Sequence, residues 1–425
     1  MKAFAALIVA PFLLLWSFLV LAVTDLAWIL LGRRKVQENA APRREAATVV
    51  IPNWNGRDLL EKYLPSVVTA MGSNPGNEII VVDNGSEDGS AEYLAREFPE
   101  VRVLALPHNL GFGGGSNAGF RAARNDIVVL LNSDMRVEPD FLTPLLEPFA
   151  DPAVFAVACQ IYLSDVARRR EETGLTEGWW EAGKLRVSHR DDPSLLEPFP
   201  CFYPGGGSSA FDRRKFLELG GFDELLKPFY LEDTDLGYLA WKRGWKILYQ
   251  PASVVFHEHR GTIGRKFSPA YIDSVIKKNF LLFVWKNIHS WDKLVEHGVA
   301  ALAGCILSAS GASRPGRATL AGLWNATRQC FSAAASRWNS RSLSVVSDKE
   351  AFLRSRPSHF FDRFGTRAGG PPEVLFVSPY PIVPAVHGGA VFMLETLREL
   401  AAGQNPFARE MLAEMGLPIP TEPPP

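Results

Sequence analysis

A chain of 425 residues in which 45 Lys+Arg face 46 Asp+Glu carries a net charge of −1, which excludes a globally basic nucleic-acid binder and leaves only local clusters to argue from. The length exceeds one ordinary domain, so a main domain with attachments is expected. Cys159, Cys201, Cys305 and Cys330 form no CxxC pair and read as reduced, structural thiols.

Ala3 to Leu31 is apolar almost throughout, with Asp25 its only formal charge. As a helix it runs about 40 Å against roughly 30 Å of hydrocarbon, so it spans a bilayer with tilt or with Asp25 at the interface. A cleaved signal peptide is the rival, although its apolar core would be about half as long and no convincing small-x-small site precedes Arg33. Arg33, Arg34 and Lys35 follow the run while only Lys2 precedes it, which places the rest of the chain in the cytoplasm. The expectation is a single-pass anchor in the cell inner membrane over residues 1–35, with a polar tether over 36–47; a buried hairpin is the other structural alternative.

Val49–Pro52, Glu78–Val82, Val101–Leu106 and Ile127–Leu131 are short runs rich in Val, Ile and Leu, as strands covered on both faces should be. Segments with helical spacing separate them, so the pattern is βαβαβαβ and an α/β domain with a mostly parallel sheet is expected. Ligands bind such sheets at the carboxyl ends of the strands. Leu59 to Met71 repeats at helical spacing, with Pro65 set to kink the helix or shift its start. Asp83 ends the second strand, and Asn84-Gly85-Ser86 turns the chain into a helix capped by Ser86 or Asp88. Asn109 to Asn117 reads as a glycine-rich loop leading into a helix from Ala118 to Arg124, and the fourth strand ends at Asn132-Ser133-Asp134.

From Pro152 to Pro200 the pattern weakens into what reads as a long functional loop, with Trp179-Trp180 inside it. Gly205-Gly206-Gly207 runs into a strand, and Arg213 to Leu219 is a helix stopped by Gly220-Gly221. Glu232-Asp233-Thr234-Asp235 opens a helix that Gly244 ends. Strands at Lys246–Tyr249 and Ser253–Phe256 follow, ending in His257-Glu258-His259. Beyond Ser268 the chain is helical to about residue 345, and Lys277, Lys278, Lys286 and Lys293 lie among aromatics. They read either as a surface on anionic lipid or as a solvated helix face. Val299 to Ala309 is apolar but short for a span, which suggests an in-plane or core helix.

Two residues apart at a strand end, Asn132 and Asp134 can point the same way, and Asp134 is a hard oxygen donor suited to a divalent cation beside departing phosphates. At Glu232 to Asp235, catalysis and helix capping are both open to the acids. The glycine-rich loop lacks the GKS/T ending of a P-loop and the third glycine of a dinucleotide fingerprint. In order and spacing, VVIPNWNG, VVDNGSEDGS, NLGFGGGSNAGF, LLNSD, LGGFDE, FYLEDTDLGYLAWKRGW and FHEH resemble the signatures of the inverting family 2 glycosyltransferases across residues 48–290.

That resemblance implies a GT-A fold over residues 48–267, a nucleotide-diphosphate-sugar donor, Mn2+ or Mg2+, and a single catalytic carboxylate. It implies that Asp83 accepts from N3–H of uracil or thymine, and that Pro52, Asn53, Asn109, Gly111, Asn117 and Asn132 line the donor nucleotide. Asp134 becomes the metal ligand and His257 reaches the metal or the diphosphate. Asp233 becomes the general base, Glu232 orients the acceptor, and Gly205, Gly206 and Gly207 lie beneath the sugar or acceptor. Val374 to Pro381 with His387-Gly388-Gly389-Ala390 resembles the opening βα unit of family 4 GT-B glycosyltransferases. This suggests a truncated unit over 373–403, after a linker at 346–372 and before a disordered tail at 404–425.

The function expected is transfer of a sugar from a UDP- or dTDP-sugar to a glycan or lipid-linked acceptor in cell-envelope polysaccharide synthesis, at a membrane and without nucleic acid. A sugar nucleotidyltransferase would need a basic glycine-rich loop near the first strand, and VVIPNWNGRD has none. A catalytically silent glycan-binding module would lack Asp134 or Asp233, and both are present.

Overall fold

A computed structural model of the chain describes residues 2–35, 40–164, 172–258, 267–311, 318–355 and short stretches between 394 and 418. A long helix, α1 (Lys2–Leu31), precedes β1 (Ala47–Asn53), α2 (Arg57–Met71), β2 (Glu78–Asp83), α3 (Ser90–Glu97), β3 (Arg102–Ala105), α4 (Gly111–Ala122) and β4 (Ile127–Leu131). Next come β5 (Met135–Val137), α5 (Leu142–Leu146), β6 (Val154–Leu163), the hairpin β7 (Thr176–Glu181) and β8 (Lys184–His189), β9 (Phe199–Pro200), β10 (Ser208–Asp212), α6 (Arg213–Leu219), α7 (Glu232–Arg243) and β11 (Lys246–His257). The helices α8 (Pro269–Asn287), α9 (Trp291–Ala309), α10 (Leu320–Thr327), α11 (Cys330–Leu343) and α12 (Asp348–Arg354) complete the first compact unit, which ends at Phe361.

Among the described residues, nine strands form one sheet in the order β3-β2-β1-β4-β10-β6-β11-β5, with β9 beside β11. The pairs β1–β2, β1–β4, β2–β3 and β6–β11 are parallel, and β4–β10, β6–β10, β5–β11 and β9–β11 are antiparallel. The mostly parallel sheet expected from the sequence is therefore a mixed one. Because β10 enters backwards between β4 and β6, it delivers Ser208 opposite Leu131 and so carries the preceding glycine loop to the carboxyl edge of β4. Every residue of β4 is buried, and Leu60, Leu64 and Val67 of α2 pack into the same core, each contributing roughly 1.5–3 kcal/mol by leaving water.

Several elements differ from the sequence reading. Pro65 lies within α2, which continues to Met71. The glycine-rich segment is helical from Gly111. A Cβ on Gly119 would stand 2.3 Å from a Val50 methyl, so the lack of side chains lets α4 lie close on β1. The weakly patterned stretch after Pro152 holds β6 and the β7–β8 hairpin, and Trp180 donates its indole N–H to Glu296 at 2.7 Å. Part of the expected linker is α12, whose Asp348 is buried and accepts from Lys242 at 2.6 Å and Tyr238 at 2.8 Å. Three of the four lysines expected on lipid or in water, Lys277, Lys278 and Lys286, are buried, and Lys293 is half-buried: Lys278 donates to the Lys227 carbonyl at 2.6 Å, and Lys277 pairs with Asp273 at 2.6 Å. All four cysteines are free and buried.

Among the described residues, one helix is long and apolar enough to cross a membrane, Ile8–Leu31. It does not stand alone. Ala10, Leu14, Ser17, Leu21 and Asp25 form a buried stripe along it. Ser17 bonds Thr327 at 3.2 Å, and Trp28 donates to Ser342 at 2.9 Å. Asp25 is turned inward and receives Arg337 at 2.8 and 2.6 Å and Arg341 at 2.8 Å.

The second unit runs from Asp362 to Pro425. The motifs that resemble a family 4 opening, Val374–Pro381 and His387–Ala390, lie outside the described residues. Where a disordered tail was expected, Pro406–Glu414 forms a helix, and Ala408 and Leu412 pack with Leu394, Leu397 and Ala401.

Candidate active site

The parallel strands end on one edge, and the polar residues that follow them form a continuous run. At its nucleotide end, Asn53 and Asp83 are register partners across β1 and β2. Asp83 accepts the Ser86 amide at 3.1 Å, so one oxygen fastens the turn. Asn53 donates to Ser90 at 3.0 Å, while its Oδ1 is buried without a hydrogen-bond partner. An orphaned acceptor beside a carboxylate suits the N–H of a ligand. Pro52 is half-buried next to them. A Cβ placed on Gly56 would stand 2.7 Å from Asn53 Oδ1 and 3.7 Å from Ser133 Oγ, which links this end to the Asn132-Ser133-Asp134 turn.

The glycine-rich residues are tied by a side chain not singled out in the sequence. Asn84 donates to Asn109 Oδ1 at 3.1 Å and to the Gly111 carbonyl at 3.0 Å, and accepts the Leu110 amide at 2.9 Å. Asn109 also accepts the Gly111 amide at 2.7 Å. Asn117, expected on the nucleotide, spends its amide inside the protein: it donates to the Phe222 carbonyl and accepts the Phe222 amide, both at 2.9 Å. It fastens α4 to the LGGF turn. A shallow, open cleft lies between Gly111–Gly114 and Phe222–Phe229. It reaches Glu232 but not Asp134, so it adjoins the strand-end edge rather than forming it.

The centre of the edge joins residues far apart in sequence. Asn132 donates its backbone N–H to the Gly207 carbonyl at 2.9 Å, and a Cβ on Gly207 would stand 2.2 Å from the Asn132 side-chain amide, so a side chain here would displace that amide. The neighbouring Gly206 amide donates to Asp233 Oδ2 at 3.2 Å. The glycine loop thus connects Asn132 with Asp233, and Gly205 accepts Ser209 Oγ at 2.9 Å. On the other side, β5 pairs with β11 so that His257 lies opposite Met135. His257 Nε2 then sits 3.2 Å from Asp134 Oδ1, and Nδ1 sits 2.9 Å from Glu172 Oε2. Burial pushes the imidazole pKa down, but the hydrogen bonds to Asp134 and Glu172 outweigh it and raise it to about 9.

Two donors that meet one small divalent cation at about 2.1 Å and right angles stand about 3 Å apart, so the Asp134–His257 separation fits such an ion. Among the described residues no three protein ligands are preassembled. Glu172 holds the Nδ1 side of the imidazole and leaves Nε2 facing Asp134. Nothing in its sequence context marked it, because it follows a stretch without motif; His259 lies outside the described residues.

The acid pair is set by strain and by helix α8. Tyr230 and Leu231 have φ of 72° and 74°, a left-handed conformation that costs non-glycine residues about 1–3 kcal/mol each. Asn279 of α8 holds it by donating to the carbonyls of Leu226, Phe229 and Tyr230 at 2.7–3.0 Å. Leu231 occupies the N-cap position without a side-chain cap bond, so none of the three acids serves there. Asp235 turns into the core, where Lys286 and Asn287 reach it at 2.6 Å each. Glu232 and Asp233 remain at the edge. Burial, then the charge of Asp233, pushes Glu232 up to about 8, and burial also raises Asp233. Glu232 therefore retains its proton into the neutral range, and its Oε2 has no hydrogen-bond partner.

Residues 48–219 match the family described as glycosyl transferase family 2. The chain is 31% identical over 267 residues to N-acetylgalactosaminyltransferase 6 of Drosophila melanogaster, covering 59% of this chain and 40% of that protein. It is 27% identical over 268 residues to N-acetylglucosaminyl-diphospho-decaprenol L-rhamnosyltransferase of Mycobacterium tuberculosis, covering 57% and 85%. The chain spans less than half the length of the curated relatives it matches first. A solved structure of GalNAc-T7 with UDP, GalNAc and Mn2+ superposes with a TM-score of 0.49 at 21% identity, covering 61% of this chain and 50% of that one. With its family signatures gathered on one edge of a mixed α/β sheet, the chain carries a glycosyl transferase family 2 domain over residues 48–219.

Proposed function

We propose that the protein is a metal-dependent inverting glycosyltransferase that moves a sugar from a UDP- or dTDP-sugar to a glycan or lipid-linked glycan acceptor, at the cytoplasmic side of a membrane. The observation that carries this is the run from Asp134 through Asn132 and Gly207–Gly206 to Asp233, which brings a cation ligand and a carboxylate from 99 residues apart (134 to 233) to one edge. Asp83 and Asn53 supply acceptors for the pyrimidine N3–H at the nucleotide end. Asp134 and His257 would hold Mn2+ or Mg2+, which when bound offsets the charge that builds on the departing diphosphate.

On this reading Asp233, ionised, takes the proton from the acceptor hydroxyl as that oxygen attacks the anomeric carbon in line, and the nucleoside diphosphate leaves from the opposite face. One base suffices for inversion, because no acid is needed on the leaving group. The raised pKa of Asp233 strengthens it as a base. Glu232, protonated near neutrality, donates a hydrogen bond to the acceptor and leaves the negative charge on its neighbour. The N-terminal end of α7 stabilises that charge by its dipole.

The test is release of UDP or dTDP by the purified chain from a panel of sugar nucleotides with Mn2+. Asp134→Ala should lose metal-dependent donor binding together with turnover. Donor binding that stays metal-dependent and equally tight in Asp134→Ala would overturn the metal assignment.

A further inference from the structure

We propose that α1 and α9 form a single platform that seats in the surface of a lipid bilayer, in place of α1 crossing the bilayer as a free-standing span. The inference does not depend on the reaction proposed above.

The outward face of α9 carries it. Along that helix the exposed positions at spacing of four are Trp291, Val295, Val299, Ala303 and Leu307. A helix whose outer face meets water carries charged or polar residues there. This one presents five apolar residues in line over about four turns, with Val295 63% and Val299 66% exposed. Asp292 and Glu296 are the exposed acids beside this line near the start of the helix, and Glu296 accepts the Trp180 indole. Beside it, α1 exposes Phe12, Leu15, Leu19, Val23, Leu26 and Leu30. The two helices are in close contact, since a Cβ on Gly298 would stand 2.8 Å from the Phe18 ring.

A free-standing span exposes apolar side chains all round and keeps its domain at a distance. Here the opposite side of α1 is committed to protein from Ala10 to Asp25. Its one acid, Asp25, is turned away from the apolar face and neutralised by Arg337 and Arg341 at 2.6–2.8 Å. Burying that ion pair costs solvation, and the placement clears the outer face of charge, which lipid requires and water does not. Trp16 of α1, Trp291 of α9 and Trp324 of α10 are exposed, as are Arg33, Arg34 and Lys35 at the end of α1 and Arg328 just after α10, residue types that suit a membrane interface. Aromatic rings sit at the headgroup level, and basic side chains are drawn to anionic headgroups. The occupant is therefore a bilayer surface containing anionic lipid.

The test uses the full chain, purified in mild detergent and mixed with vesicles of phosphatidylcholine and phosphatidylglycerol. In Val295→Lys/Val299→Lys, α1 is untouched and both changed side chains are exposed, so the melting temperature should stay at the wild-type value. Co-flotation with vesicles should fall at least about tenfold, because each lysine on a lipid-facing helix is strongly disfavoured. Flotation equal to wild type would show that α1 anchors alone and would overturn the platform. So would unchanged flotation with loss of a concentration-dependent dimer in vesicle-free buffer, which would assign the face to a second copy. A second readout is a nitroxide on Val299→Cys, where the buried native cysteines leave labelling selective. Collisions should favour oxygen over a water-soluble nickel chelate, with a label on Ser194→Cys showing the reverse. Preference for the nickel chelate at residue 299 would also overturn it.

Discussion

Lys286 offers a sharp test of how α8 supports the acid pair. Its Nζ lies 2.6 Å from Asp235 and 2.9 Å from Asp223, with side-chain exposures of 5% for Lys286 and 2% for Asp235. Lys286→Met leaves Asp235 buried with Asn287 as a hydrogen-bond donor and no paired cation. Stranding one member of a buried ion pair costs about 3–5 kcal/mol. At about 2 °C per kcal/mol for a unit of this size, differential scanning calorimetry should record a fall of roughly 6–10 °C. Turnover should fall as well, because Asp235 fixes the helical turn that begins with Glu232 and Asp233. Adding Asp235→Asn removes the stranded charge, so the double variant should recover part of the loss, with a coupling energy of about 1–3 kcal/mol. A single variant that melts within about 2 °C of wild type, or a strictly additive double variant, would refute the reasoning.

Three further outcomes follow from the site. Glu172→Gln removes the charge that orients His257, so Mn2+ affinity, read by electron paramagnetic resonance of the free ion, should weaken about 10–100-fold; unchanged affinity would remove Glu172 from the site. Glu232 has a folded pKa of about 8, above its unfolded value. Its contribution to stability is therefore fully present below the unfolded pKa and lost as pH rises through the folded one. Glu232→Gln should accordingly gain stability relative to wild type at pH 9 but not at pH 4, in paired thermal melts. Gly207→Ala forces a methyl into the space of the Asn132 amide and should lower kcat/KM for the donor by at least about tenfold, while the circular-dichroism spectrum remains native.

The first half of the sheet was legible because its information is local. The strand Ile127–Leu131 matches the expected bounds, and Asp83, Asn132 and Asp134 stand at strand ends where apolar runs give way to polar residues. The second half depends on pairing between distant segments. Nothing local announces that β10 runs backwards between β4 and β6, or that β5 pairs with β11 across 122 residues (135 to 257) to set His257 beside Asp134. The lysines of α8 were misread for the same reason: in sequence they resemble a charged face, while the acid that buries Lys286 lies 51 residues away. Glycine misled in the opposite direction. Its low helix propensity suggested a loop at Gly111–Gly115, but close approach to the sheet fixes that stretch in α4. Asn117 shows the limit of motif reading, since the side chain sits within a signature yet bonds Phe222.

The central claim is that Asp233 acts as the base on the edge that also holds the donor. The most direct measurement is kcat for nucleotide release by Asp233→Asn at saturating donor, with the donor Kd determined on the same sample. The account predicts a fall of about 10²–10⁴-fold in kcat with the Kd unchanged. Full turnover in Asp233→Asn, at the wild-type Kd, would contradict it.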